Sequence, residues 1–196
     1  MATTYALLIN AVKAYSGRTD QKTLAQIPAF IAAAQTKMDG DLRVPSMTET
    51  RHYADHGLTV PNEFMEIETL IVGERLGVLF PLEHVLKARK LAVDESRAYA
   101  LVGSNIELAS LEPVTVIGFQ KPVRLSDQVQ TNAYTQHAEN ALLWYSLQYL
   151  GVFARDAKAA QAWGGMAQAE VDNINMQYEK FKTGSGVDSE PAVRRF

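Results

Sequence analysis

Apolar residues recur at the start of the chain with the period of an α-helix: Leu8, Ala11, Val12 and Tyr15 fall at i, i+3, i+4 and i+7. Thr3 or Thr4 can cap this segment and Gly17 can stop it, so the pattern predicts a first helix over residues 4–15. After a polar turn through Ser16-Gly17-Arg18-Thr19-Asp20, Pro28 suits the first position of a second helix, where its missing N–H costs nothing. That helix is expected to reach about Asp41, with Ile31, Ala34 and Met38 on one stripe and Phe30 beside it, and to pair antiparallel with the first. Between Leu42 and about Ser126 the period shortens to that of strands. Short β-prone runs are predicted at 48–53, 58–60, 65–72, 78–80, 97–102, 106–108 and 114–119. Gly103-Ser104-Asn105 provides a hairpin turn, and Pro81 opens one short helix carrying Leu82, Val85, Leu86 and Arg89. The expectation for this stretch is a small antiparallel β unit.

Past Asp127 the helical period returns. Tyr134, Ala138, Ala141, Leu142, Tyr145, Tyr149 and Val152 form one stripe, while Leu143, Leu147 and Leu150 form a second. One stripe is enough to pack a helix on its own core, so two imply central burial or a partner. A final helix over about 156–181, near 39 Å long at 1.5 Å per residue, places Ala160, Trp163, Ala167, Val171, Ile174, Tyr178 and Phe181 at alternating spacings of three and four. Its Gly164-Gly165 pair reads either as a kink or as a close backbone contact. Residues 183–196 have no period and are expected to form a flexible tail. The fold class expected is therefore α+β, mainly α: a bundle of about four helices (4–41 and 132–182) with an inserted β unit over 42–126. Residues 1–182 would form one domain.

Composition narrows the function classes. The 196 residues are 47% hydrophobic and 21% charged, too apolar for a disordered chain and enough for one sizeable core. A net charge of −3 and a pI near 5.8 disfavour a basic nucleic-acid footprint. The absence of cysteine removes disulfide frameworks, Cys-ligated metals and thiol nucleophiles together. No run approaches the roughly 18 apolar residues of a membrane span, and the Met-Ala-Thr-Thr start has no basic or apolar leader, so a soluble protein is expected.

Catalytic chemistry finds little support. His52-Tyr-Ala-Asp-His56 would align two imidazoles only on a helix, and it falls where strand and turn are expected, so both read as surface histidines. Glu63, Glu66 and Glu68 form an acidic patch. Glu66 and Glu68 would share a strand face, a pairing that glycoside hydrolysis could use across a cleft but that a solvated strand explains more simply. Glu83-His84 and His137 stand isolated, and no phosphate-binding glycine loop, Gly-x-Ser-x-Gly elbow or His-Glu-x-x-His motif occurs. No cofactor or metal is expected.

Several stretches together resemble the tailed-bacteriophage adaptor, or head-to-tail connector, family. They are Leu8-Ile-Asn-Ala-Val-Lys-Ala-Tyr, then Leu24-Ala-Gln-Ile-Pro-Ala-Phe-Ile-Ala-Ala-Ala-Gln and Asp41-Leu-Arg-Val. Leu58-Thr-Val-Pro-Asn-Glu-Phe-Met-Glu-Ile, Pro81-Leu-Glu-His-Val and the Arg97-Ala-Tyr-Ala-Leu-Val-Gly hairpin follow. The Leu125-Ser-Asp and Thr131-Asn132 approach to the third helix and the Trp163 helix complete the set, which extends to about Asn175. Ile117-Gly-Phe-Gln departs from the aromatic pair usual in the last strand, and Glu139-Asn140 replaces a proline-led turn.

The resemblance implies a non-enzymatic ring of twelve copies beneath the portal protein. Such a ring extends the channel through which DNA passes without specific binding, and it docks the tail or nozzle protein. It also implies assembly in the host cytoplasm and residence in the virion neck, with no membrane partner. Within this frame Val187, Val193, Arg194, Arg195 and Phe196 are the candidate portal-binding anchors of the tail, and Leu143, Trp144, Leu147 and Leu150 the candidate subunit interface. The alternatives are a virion cell-wall hydrolase, or a neck or tail-completion protein that binds no portal.

Overall fold

The computed structural model describes residues 3–54, 57–91 and 96–182. The chain divides into two compact units, one built from Met1–Pro45 with Pro122–Phe196 and the other from Ser46–Lys121.

The first unit is helical. Helix α1 (Tyr5–Ser16) begins where the Thr4 hydroxyl accepts the Leu7 amide and ends at Gly17, whose φ of +60° is the left-handed conformation that glycine adopts without a Cβ clash. It buries Tyr5, Leu8 and Val12. Helix α2 (Gln21–Leu24) is a single turn started by the Asp20 carboxylate, which accepts the Thr23 amide at 2.8 Å. Helix α3 (Ile27–Asp41) carries Pro28 in its first turn and buries Ile27, Phe30, Ile31, Ala34 and Met38. After the second unit the chain returns through helices that are labelled α5 (Ala133–His137), α6 (Glu139–Phe153) and α7 (Ala157–Lys182), α4 (Leu82–Leu91) lying in the second unit.

The expected bundle of about four helices, mainly α, is corrected. Among the described residues there are seven helices and two four-stranded sheets, with 51% helix and 20% strand, so the β part is a substantial layer of a mixed α+β fold. Two physical features produce the extra helices. Asp20 caps a turn too short to show any period. The expected third helix breaks at Ala138, which leaves helical geometry at φ −145° and ψ 37°, just after a capping box in which Asn132 and Thr135 exchange side-chain and backbone hydrogen bonds.

Helix α6 is central, contacting α3, α7, α1 and α5. Its two apolar stripes are explained by burial on several sides at once: Ala141, Leu142, Tyr145, Leu147 and Leu150 are all core. Backbone of α6 and α7 comes close at Gly151, where a Cβ would stand 3.0–3.1 Å from the backbone and Cβ of Ala160. The Gly164-Gly165 pair divides in role. Gly164 lies under the Gln148 side chain, whereas space beside Gly165 is open. The close backbone contact therefore belongs to Gly151.

Buried polar groups close the helical unit. The Gln35 Oε1 of α3 accepts the Leu125 amide (3.0 Å) and Asn132 Nδ2 (3.1 Å). One turn on, the buried Asp39 carboxylate accepts from Arg124 at 2.6 Å and from the Tyr134 hydroxyl at 2.7 Å. Asn175 of α7 joins the far end of α3, accepting the Arg43 amide through Oδ1 and donating through Nδ2 to the Asp41 carbonyl.

The second unit is layered. One sheet has the order β1 (Thr48–Tyr53), β8 (Val114–Phe119), β3 (Glu66–Val72), β4 (Arg75–Leu76); the other has β2 (Thr59–Pro61), β7 (Asn105–Leu108), β6 (Ala98–Val102), β5 (Val78–Leu79). Val60, Ile106 and Leu108 from the second sheet meet Leu70, Val72, Val114 and Val116 from the first in one core. Pairing is antiparallel except between β5 and β6, which run parallel. The all-antiparallel expectation fails there because α4 connects these two strands, and a helical crossover returns the chain in its original direction. On the outer side of this sheet α4 packs Val85 onto Ala98 and Ala100. Arg89 of α4 donates to the Leu58 and Leu108 carbonyls and to Glu107, and this pairing holds the Glu107 carboxyl below its ordinary range.

Replacing Gly151 by Val should cost about 1–3 kcal/mol by forcing α6 and α7 apart, whereas Gly165→Ala, in open space on a helix, should be neutral or stabilising by up to about 1 kcal/mol. Urea unfolding of the two variants checks the contrast. Asp39→Ala strips partners from Tyr134 and Arg124 together and should cost about 2–4 kcal/mol by the same measurement.

Candidate assembly interface

The described residues contain no group of three or more His, Asp or Glu side chains arranged to hold a metal ion. Each carboxylate considered for catalysis has a structural setting. Glu63 pairs with Arg51, which also meets Glu49 at 3.2 Å. A bulge between Ile67 and Thr69 breaks the alternation of β3, so Glu66 and Glu68 do not share a face by the simple period of two as expected. Glu63 lines an open depression of about 400 Å³ with Asn62, Phe64, Met65, Gln120 and Lys121, and neither Glu66 nor Glu68 joins it. His52 sits on β1 with Nδ1 2.9 Å from the Thr115 hydroxyl, and His56 lies outside the described residues. His84 stacks on Phe80 with ring centroids 4.2 Å apart.

The apolar candidates for contact with other chains separate into two kinds. Leu147 and Leu150 are 0% and 1% exposed, so they belong to the core of their own unit and are not accessible to a second subunit. Leu143 and Trp144 are half-buried at the α6 surface. Tyr15, 61% exposed at the end of α1, stands edge-on to Trp144 with centroids 5.5 Å apart. The sequence pattern assigned Tyr15 to the buried stripe of the first helix; the helix is amphipathic over Leu8 and Val12 but turns Tyr15 outward at its last turn. Phe153, partly exposed, leans on Phe30 at 5.4 Å, and Val152 beside it is exposed although periodicity placed it on the core stripe. The tail anchors Val187, Val193, Arg194, Arg195 and Phe196 lie outside the described residues.

Aromatic side chains at the surface, and Glu63 paired with Arg51, suit an interaction protein, and the family comparison agrees. The family model described as SU10 adaptor protein matches residues 3–192. The chain belongs to this phage adaptor family. No curated protein matches it. As an adaptor it is a structural component of the virion. No helix among the described residues is long and apolar enough to cross a membrane.

The adaptor positions its α6 surface by a hydroxyl buried immediately next to Trp144. Tyr145 Oη lies 3.2 Å from Asp41 Oδ2 and 3.1 Å from Gln168 Oε1, linking α6 to both α3 and α7. Burial and then the Asp41 charge push the Tyr145 hydroxyl up to about 12. Tyr134 is raised further, by burial first and then by its hydrogen bond to Asp39. Both phenols are neutral in the folded state while an unfolded tyrosine ionises near 10. Their contribution is therefore complete below pH 10 and falls as pH rises from about 10 toward 12, because only the unfolded chain releases its protons. Chemical denaturation at pH 8, 10 and 11 should show this loss, and Tyr145→Phe should make the decline shallower. Leu147→Asp should abolish cooperative folding, whereas Trp144→Ala should keep the far-ultraviolet circular dichroism of the parent.

Proposed function

We propose that this adaptor forms a ring of twelve copies between the portal protein and the tail or nozzle protein, continuing the DNA channel without gripping the DNA. The observation that carries the reading is the match of the adaptor family model across residues 3–192, which takes in both compact units. Chemistry supports it. A net charge of −3 around a channel repels the phosphate backbone and favours free passage. A closed ring needs two different surfaces on each subunit, and half-buried Leu143 and Trp144 with exposed Tyr15 offer one of them. The ring assembles in the host cytoplasm and persists in the virion neck.

In this reading the tail residues Val187, Val193, Arg194, Arg195 and Phe196 attach the ring to the portal. Ordering such a segment costs about 1–2 kcal/mol per residue, so one tail binds weakly, but ring copies act together and raise one another's effective concentration.

Mixing the purified chain with rings of its portal protein and imaging the product by electron microscopy tests the proposal: a stacked second ring is expected, and free portal rings alone would refute it. A chain ending at Lys182 should keep the melting temperature of the full chain yet attach to portals at least tenfold more weakly. Undiminished attachment of that shortened chain would move the portal contact to the helical unit.

A further inference from the structure

The open depression of about 400 Å³ in the β-rich unit is lined by Asn62, Glu63, Phe64, Met65, Gln120 and Lys121. Backbone bonds fix its walls. The Asn62 amide donates to the Ser104 carbonyl, the Met65 amide to the Phe119 carbonyl and the Gln120 amide to the Met47 carbonyl, each at 2.8 Å. Phe64 is buried and lies over Gly118, where a Cβ would stand 3.0 Å from its ring. The depression is thus preformed, with Phe64 and half-buried Met65 as its apolar side.

Its polar side chains divide into those already engaged and those that are not. Asn62 Oδ1 accepts the Phe64 amide at 3.2 Å, and the Glu63 carboxylate is neutralised by Arg51. Lys121 is exposed and pairs with no carboxylate among the described residues. The Gln120 Nε2 is enclosed and has no acceptor. A buried donor left without a partner is costly, and the terminal amide of glutamine turns about a soft torsion, so an acceptor arriving beside it takes the bond that the chain leaves open.

We infer that this depression binds the carboxylate of an aspartate or glutamate on a partner protein. Lys121 supplies the opposite charge, Gln120 a hydrogen bond that an ionised acceptor strengthens, and Phe64 with Met65 an apolar bed for the stem of the acidic residue. The open mouth favours a protein over a free acid, because a small molecule is held where most of its surface is enclosed, whereas a side chain brings its own protein to cover the rest. The choice of a protein ligand rests on the adaptor reading; the carboxylate rests on the donors of the depression alone.

The test needs no ring, so its failure leaves the ring reading standing. The full chain is titrated at low salt with acetyl-Leu-Glu-Leu-amide, with the same peptide carrying Gln in place of Glu, and with glutarate, while the Gln120 side-chain amide is followed by nuclear magnetic resonance. Saturable shifts with the Glu peptide, at least about fivefold weaker with the Gln peptide, are expected. No shift, or equal binding of the two peptides, would overturn the inference. Glutarate binding as tightly as the Glu peptide would overturn the protein ligand in favour of a free acid. Lys121→Ala should weaken the Glu peptide about fivefold with unchanged circular dichroism. Gln120→Leu should weaken it too while raising the urea midpoint, since the enclosed donor is gone; undiminished binding by both variants would refute the assignment. Glu63→Gln should bind the Glu peptide as well as the parent or better, and loss of binding there would show a site built for a cation instead.

Discussion

Two polar side chains one turn apart on α3, Gln35 and Asp39, hold the helical unit closed. Its sequence is interrupted by the whole of Ser46–Lys121, so its halves must be brought together across a long intervening chain. Gln35 takes the Leu125 amide and Asn132, and Asp39 takes Arg124 and Tyr134, so the returning segment is fixed to α3 through the start of α5. Apolar packing alone would leave that segment free to slide, since hydrophobic burial is non-directional. The hydrogen bonds set its register, and with it the position of α6 and of Trp144. Asn175 repeats the device at the other end of α3, bonding both the Arg43 amide and the Asp41 carbonyl.

The β-rich unit solves a different problem. Its strands are short, β4 and β5 having two residues each, and such strands hold only when both sheets share a core. The shared core of Val60, Ile106, Leu108, Leu70, Val72, Val114 and Val116 supplies this, and Arg89 fastens α4 over the second sheet through two backbone carbonyls and Glu107. The first sheet has no such covering helix within its unit.

The boundaries of β1 and β8, the start of α1 at Thr4, its stop at Gly17 and the proline-led opening of α3 were readable from the chain, because each rests on a local signal: alternation, a capping hydroxyl, a left-handed glycine, a missing N–H. So was the presence of one helix after Pro81. The resemblance to phage adaptors was readable too, since it depends on the order of many short stretches. The interface residues were only half legible: periodicity finds which side chains are apolar, and Leu143, Trp144, Leu147 and Leu150 satisfy that equally, but only packing decides which of them are enclosed.

The sequence by itself determined where helix and strand alternate and that no reactive constellation is spelled out along the chain. Tertiary structure alone decided that the third helix breaks at Ala138, that β5 and β6 run parallel, that Glu66 and Glu68 are separated by a bulge, and that Leu147 and Leu150 are core while Tyr15 is not. The division has one physical cause. Caps, turns and periods act over a few residues, whereas strand direction, bulges and burial depend on partners such as Asp39 with Tyr134, or Gly151 with Ala160, that are far apart or differently oriented until the chain has folded.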